Sequence, residues 1–593
     1  MNKGTYDFQN AEDMKEVQRL IFDYNELPVD DNFQETDDSD SEDKVESRSV
    51  DSDTDHEVDD ENAELGDANY FIGKDGTKWK KSPWKTTHTR PHRPNILAKL
   101  PGVMQTAKDA ETEFDCWKLF VSDIILDMIV ENTNIYIENL KEKITRERDR
   151  RPTDVIEMKA FLGLLYLAGI FHGGHQNIRD FWTTDDLGVN IFRMAMSEKR
   201  FRFLVRCIRF DNKISRNERR KTDKLAAVRE IFTIFVNNCK THYSLGQSVT
   251  VDEQLLAFRG RCGFRQYIPS KPSKYGIKIF CLSDAKMFYT SNMEIYCGEQ
   301  PDGPYQQENS ADAVVLRLTE PIHGTGRNIT ADNWFTSLKL VKELEERKLS
   351  FVGTVRKNKM ELPLNFTSPK GRQQYDSIFG FTENETLVSY VPKKGKTIVL
   401  LSSLHVSENQ VSDSVERKPE IVLYYNDTKS GVDVVDKLCA KCSVARSTRR
   451  WPTVIFYHIL NIAVINSRVI FLENKNIHSN KREYLKTLAL SLLSEQLQRR
   501  ALIKSLPDEI KALLAKHRPK GPPMDDLEDA SEPSSRKRRR CQPCYKETRK
   551  DCRSKYSCEK CKTYLCLNKH AKIVCERCLL TDNEEGRHIS DCD

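Results

Sequence analysis

The 593-residue chain has no apolar run long enough to cross a bilayer: its longest, Phe161–Phe171, is broken only by glycine and tyrosine and falls well short of the roughly 20 residues that a spanning helix needs. It reads as a buried helix, and no membrane partner is expected. The first residues, MNKGTYDFQNAEDMKEVQ, lack the basic and then apolar regions of a secretory signal, so a reducing compartment is expected. Basic residues are scarce at the start: Met1 to Asp67 holds 24 acids and 5 bases, a net of −19, although the whole chain carries +5. The remainder is therefore near +24, an acidic tail on a basic body, which points to a polyanion partner with the tail as an internal competitor. Cysteine is sparse over most of the length, and nine of the 17 fall between Cys541 and Cys592. In a reducing compartment such clustering indicates metal rather than disulfides. No internal repeat is present, and the length calls for several domains or one domain with large insertions.

Half of the residues from Asp30 to Glu61 are Asp or Glu, too few of the rest are apolar to offset ordering entropy, and the stretch reads as disordered. Ser39 and Ser41, set among acids in DDSDSEDK, suit an acid-directed kinase. From Lys74 to Lys99 the balance reverses: Lys, Arg and His interleave with Trp79 and Trp84 among prolines, as in a basic arm lying on phosphates. Residues 110 to 245 show the 3.6-residue recurrence of helices, with Ser197 placed to cap SEKRFRFLVRCIRF. Arg202, Arg206 and Arg209 recur at helical spacing there and face either DNA or plain solvent. Short β-branched runs follow, SVTVDEQL, YGIKIFCLSD, FYTSNMEIYC, RNITAD and SFVGTVRKN, with a helix near ADAVVLRLTE, so a mixed α/β sheet is expected. EIVLYY reads as a further strand leading through NDTKSG to a helix start, and two amphipathic helices come after RRWP.

Three acids share a setting. Asp252 closes SVTVD, Asp332 closes RNITAD, and Asp433 opens the helix after YYNDTKSG. Strand-end carboxylates that meet where two strands diverge would form a cage of hard oxygen ligands for Mg²⁺ or Mn²⁺. Strand-end acids also serve simply as turn residues, so spacing alone leaves both readings open.

The blocks VDEQLLAFRGRCGFRQYIPSKPSKYGIKI, RNITADNWFTS, FVGTVRKNK, YYNDTKSGVDVVD and RRWP, in that order, resemble the piggyBac transposase family over about Cys116 to Asn466, with a cysteine-rich end in addition. The resemblance implies a ribonuclease-H-like catalytic domain split by an insertion domain and flanked by helical dimerisation and DNA-binding segments. It implies cut-and-paste transposition of double-stranded DNA through a hairpin intermediate, from terminal repeats into TTAA targets, by a homodimer in the nucleus. The family's catalytic aspartates fall on Asp252, Asp332 and Asp433, and its fourth acid on Asp436; Glu253 should point to the opposite face and is left out of the cage. The organisation expected is 1–73 acidic tail, 74–105 basic arm, 106–247 helical segment, 248–356 catalytic domain, 357–419 insertion, 420–442 catalytic domain resumed, 443–518 helical segment resumed, 519–540 linker and 541–593 cysteine-rich domain.

Around the acids, Arg259, Arg261, Arg265, Lys271, Lys274 and Lys278 interleave with aromatics and are expected on DNA phosphates. Trp451 either stacks on a flipped or hairpin-end base or packs against the helix that follows it. At the C-terminal end Cys541/Cys544, Cys558/Cys561, Cys566/His570 and Cys575/Cys578 form four ligand pairs, enough for two tetrahedral Zn²⁺ sites. The economical wiring, also the one the family implies, is a cross-brace: pairs one and three on one ion, two and four on the other. Three residues separate Cys566 from His570 where the family pattern has two, and Cys552 is an alternative ligand. RKRRR, Arg536 to Arg540, reads as a nuclear import signal or a phosphate patch. Two other readings stand beside the transposase: a domesticated descendant that binds DNA or chromatin without cutting, and a zinc-dependent interaction module, which leaves the carboxylates without a role.

Overall fold

Twelve strands among the described residues form one mixed sheet: β1 (Val45–Ser47), β2 (Tyr70–Ile72), β3 (Lys78–Lys80), β4 (Ser248–Ala257), β5 (Arg265–Tyr267), β6 (Tyr275–Asp284), β7 (Thr290–Ile295), β8 (Asn328–Ala331), β9 (Ser350–Thr354), β10 (Ser377–Phe381), β11 (Thr386–Lys393) and β12 (Lys396–Ser402). This is a computed structural model describing residues 69–84, 97–140, 150–171, 177–185, 188–269, 271, 273–405, 415–477, 479–518, 541–544, 546, 553–554, 556 and 563–566, with the backbone alone of 45–47, 539–540, 545 and 547–548. The strand order is β1-β5-β6-β4-β8-β9-β12-β11-β10-β3-β2, and β7 pairs with β6. β4, β8 and β9 are parallel neighbours, and β6 runs antiparallel to β4 over its whole length. The β-branched runs extend because stiff side chains pack well on a pleated, covered surface. Both faces of β4 and β6 are largely buried, because these strands sit in the covered middle of the sheet.

Helices cover the sheet and build the remaining bulk: α1 (Asp123–Asn139), α2 (Val155–Ile170), α3 (Glu198–Cys207), α4 (Arg229–His242), α5 (Ala311–Thr319), α6 (Leu338–Glu346), α7 (Glu420–Thr428), α8 (Gly431–Ala440), α9 (Trp451–Lys475) and α10 (Lys481–Ala501). Ser197 caps α3 by accepting from the Arg200 amide. α2 is apolar all round and buried almost throughout, as its run of leucines predicts. α9 is long and apolar enough to cross a membrane, yet most of it lies inside the protein, so it is a core helix. Tyr166 of α2 donates to the Leu460 carbonyl of α9 at 3.1 Å and accepts from the Trp117 indole at 2.8 Å, tying the helical layer together through a buried relay.

Two sequence expectations change. EIVLYY is helical rather than extended: α7 follows Pro419, and Ile421, Val422 and Thr428 are buried at helical spacing against the sheet. The strands within 357–419 join the large sheet, where β12 pairs antiparallel with β9 and continues it. The basic arm begins inside the fold: β2 and β3 form a hairpin at the far end of the same sheet, where Trp79 is buried and its indole donates to the Glu361 carbonyl at 2.9 Å. Trp84 remains exposed, with Lys80 over its ring.

The chain divides into two units, residues 1–518 and 519–593. In the second, residues 539–540 pair antiparallel with 553–554, and Gln542–Thr548 is helical. Ser39, Ser41, Arg536 to Lys537, Arg538, Cys552, Cys558, Cys561, His570, Cys575 and Cys578 lie outside the described residues.

Candidate active site

Paired threonines set the geometry. Thr250 of β4 and Thr330 of β8 are register partners, and each hydrogen-bonds Thr428, the last residue of α7: Thr250 Oγ1 donates to its carbonyl at 2.7 Å, and Thr330 Oγ1 meets its hydroxyl at 2.7 Å. These bonds, buried and each worth about 1 kcal/mol, fix the α7–α8 corner over the two strands. Gly431, the first residue of α8, sits so close that a Cβ there would lie 2.3 Å from Thr250 Oγ1, which explains glycine in SGVD. Two residues further along the same faces come Asp252 and Asp332, because strand side chains repeat with period two. Asp332 lies just past the end of β8, level with Asp252 on β4, so the two acids stand where the strands part.

Asp433 in the first turn of α8 and Asp436 one turn on complete the group. The Tyr425 phenol of α7 feels Asp332, Asp252 and Asp433 together; burial, chiefly, with these carboxylates pushes it up to about 12. Burial raises Asp252 well above the usual carboxylate range, and Glu253 and Asp332 add to the effect. Burial also raises Asp436 to about 6, with Asp433 adding and the Lys271 cation and a Gln254 hydrogen bond opposing. Four acids gathered with so little compensating charge form a donor set of hard oxygens whose repulsion a divalent cation would relieve, so the residues fit Mg²⁺ or Mn²⁺.

The carboxylates are held by short local bonds. Asp252 accepts from the Glu253 amide at 2.7 Å, and Asp332 accepts from the Trp334 amide at 2.9 Å. Glu253 is buried on the other face of β4, as strand alternation predicts. Gln254, on the Asp252 face, accepts from the Cys281 thiol at 3.2 Å and stands near enough to Asp436 to act on its carboxyl. Sequence reading passed over Gln254, Tyr425, Thr250, Thr330 and Thr428, although the T-V-D-E-Q alternation already places Thr250, Asp252 and Gln254 on one face.

The basic residues separate into three kinds. Arg259, Arg261 and Lys274 are exposed in the loop that joins β4 to β6, and so is Arg449, whose carbonyl packs 2.7 Å from where a Gly260 Cβ would stand. Lys271 is drawn inward: its ammonium donates to the Glu253 carbonyl at 3.3 Å and acts on Asp252 and Asp436. Arg265 and Lys278 correct the expectation of surface contact. Arg265 is buried and donates to the Arg259 and Gly260 carbonyls, shaping the loop. Lys278 is buried with its ammonium 4.0 Å from the Tyr296 ring, 4.8 Å from Phe280 and 5.5 Å from Trp334. Trp451 is 3% exposed and meets Phe264 edge to face at 5.1 Å, so its ring serves the interior rather than a base. Arg209 is buried too, its guanidinium 3.5 Å above Tyr136, whereas Arg202 is partly exposed and pairs with Glu198.

In the C-terminal unit the thiols of Cys541, Cys544 and Cys566 lie within 4.8 Å of one another, with Cys544 and Cys566 sulfurs 3.5 Å apart. This is the partnership that the cross-brace wiring assigns to the first and third pairs. Three soft ligands at such distances suit one tetrahedral zinc site.

Residues 112–468 match the family model described as transposase IS4. Human piggyBac transposable element-derived protein 3 is 23% identical over 391 residues, 63% of this chain and 62% of that protein. Human piggyBac transposable element-derived protein 2 is 23% identical over 404 residues, 65% of each. The chain thus spans less than two thirds of these relatives' length. A cryo-EM structure of a piggyBac transposase synaptic complex with hairpin DNA is similar at a TM-score of 0.67 and 36% identity, over 81% of this chain and all of that one.

Proposed function

As a chain that belongs to the piggyBac transposase family, this protein carries, we propose, a working nuclease and strand-transfer centre: a Mg²⁺-dependent cut-and-paste DNA transposase that acts on terminal repeats and inserts at TTAA. The observation that carries this reading is the convergence of Asp252, Asp332, Asp433 and Asp436 at the parting of β4 and β8 under the start of α8. Asp252, Asp332 and Asp433 would hold the ions, with Asp436 one turn further along α8 beside them. Divalent ions bound there supply an activated water or 3′-hydroxyl and stabilise the departing oxygen of a phosphodiester.

The chain's own residues do the rest. Exposed Arg259, Arg261, Lys274 and Arg449 neutralise phosphates on either side of the scissile bond. Lys271 offsets part of the carboxylate charge between substrates. The stacked platform of half-buried Trp334 on buried Phe280 keeps the Asp332 turn from moving as DNA enters. Cys541, Cys544 and Cys566, with His570, would hold one structural Zn²⁺ and the remaining pairs a second. The basic run before Cys541 directs the protein to the nucleus, and a homodimer brings two ends together.

Purified protein incubated with DNA bearing the inverted repeats that flank its coding region should cut at the element ends only with Mg²⁺ or Mn²⁺. Asp332→Ala should abolish cutting while leaving binding intact. Cutting retained by Asp332→Ala sinks the assignment, and wild-type protein that binds but never cuts points to the domesticated binder instead.

A further inference from the structure

The helical layer holds a cleft of about 760 Å³, far in sequence from the carboxylates and built by the ends of four helices. Among the described residues its wall includes Arg150, Arg151, Arg200 and Arg500 against two acids, Glu138 and Glu157. The Glu157 side chain is 2% exposed, and its oxygens are already engaged: Arg151 at 2.9 Å, Arg200 at 2.5 Å and the Thr153 hydroxyl at 2.9 Å. These partners hold its carboxyl below the usual range despite burial.

Arg500 reaches the cleft from the end of α10 without a carboxylate of its own. Its guanidinium donates to the Met194 carbonyl at 2.6 Å and the Arg193 carbonyl at 3.4 Å, which aim a rigid fork rather than neutralise it. Burial lowers the Arg500 pKa, and the nearby charges of Arg151 and Arg499 lower it further against the opposing charge of Glu157. Small-molecule pockets of this size are mostly apolar, whereas this wall is guanidinium, the group that matches phosphate oxygens two at a time.

We propose that this cleft is a phosphate-binding site that seats a phosphodiester of the bound DNA strand, anchoring it on the helical layer away from the point of cleavage. Arg151 and Arg500 make the contact, and the buried Arg200–Glu157 pair holds the wall in shape. The inference rests on the DNA-binding reading above. A free polyphosphate offers the same chemistry, and the experiment separates the two.

Full-length protein and its Arg500→Gln and Arg151→Gln variants are compared in magnesium-free buffer. Binding of a fluorescein-labelled DNA duplex is followed against salt, and thermal unfolding is followed against inorganic pyrophosphate. Arg151 is the fold-safe position, since its side chain is 62% exposed. Each variant should lower the slope of log K against log salt by about 0.9, one phosphate contact. A lowered slope supports the seat whether or not pyrophosphate protects the wild type. Pyrophosphate protection lost with an unchanged slope overturns the DNA assignment in favour of a small polyphosphate. Equal slopes with no protection of the wild type overturn the site altogether. Wild-type protein that fails to bind the duplex at all would instead undo the transposase reading, so the two failures are told apart.

Discussion

Lys278 shows how a residue can be read correctly for charge and wrongly for place. On β6, opposite Leu255 of β4, its ammonium is enclosed by Tyr296, Phe280 and Trp334, and Trp334 is the residue whose amide holds Asp332. A desolvated cation over aromatic faces is worth about 2 kcal/mol. Lys278→Met should therefore lower stability in urea by about that amount and weaken Mn²⁺ binding measured by calorimetry, while Lys278→Arg largely preserves both. Gly431→Ala should cost about 1–3 kcal/mol by overpacking against Thr250, and it should likewise weaken the metal titration by lifting α8 off the sheet. The acids themselves were legible in sequence because each ends or begins an element, where a side chain leaves the pleat. The burial of Arg265, Lys278, Arg209 and Trp451 was not, since a strand or helix does not announce which of its faces another element will cover.

At the level of elements, α9 is the test of how a long apolar helix is used. Its His458 is fully inside the protein, and burial lowers its pKa to about 4. The unfolded chain would protonate this histidine near pH 6.5 whereas the folded chain would not, so stability is intact above that pH and falls as pH drops from 6.5 toward 4. The loss amounts to about 3 kcal/mol at the lower limit. Thermal unfolding followed between these pH values should show this decline, and His458→Leu should flatten it. Periodicity identified α2, α3, α9 and α10 directly. It failed for α7, where β-branched Ile421 and Val422 beside two tyrosines mimic a strand, and the Pro419 start and the buried Thr428, seven residues after Ile421 on the same face, decide for a helix. The pairing of β12 with β9, which joins the strands of 357–419 to the sheet, is a long-range bond that no local pattern encodes.

At the scale of the molecule, charge is segregated along the chain. The backbone of β1, within the acidic first 67 residues, pairs parallel with β5, whose Arg265–Tyr267 follows the exposed Arg259 and Arg261. Deleting residues 1–67 removes a net −19 and should tighten binding to a DNA duplex several-fold at low salt, an effect that anisotropy should show fading as ionic strength rises. In the other unit, metal analysis of the purified protein should give two zinc ions per chain, and Cys541→Ser should lose one of them. The order in which the acids occur has its own outcome during synthesis. A ribosome delivers Asp252 and Asp332 well before Ser430 emerges, and the corner that clamps β4 to β8 comes only with Thr428. A prematurely terminated polypeptide ending before α7 therefore carries two of the four carboxylates and neither the corner nor the helix that would close the set.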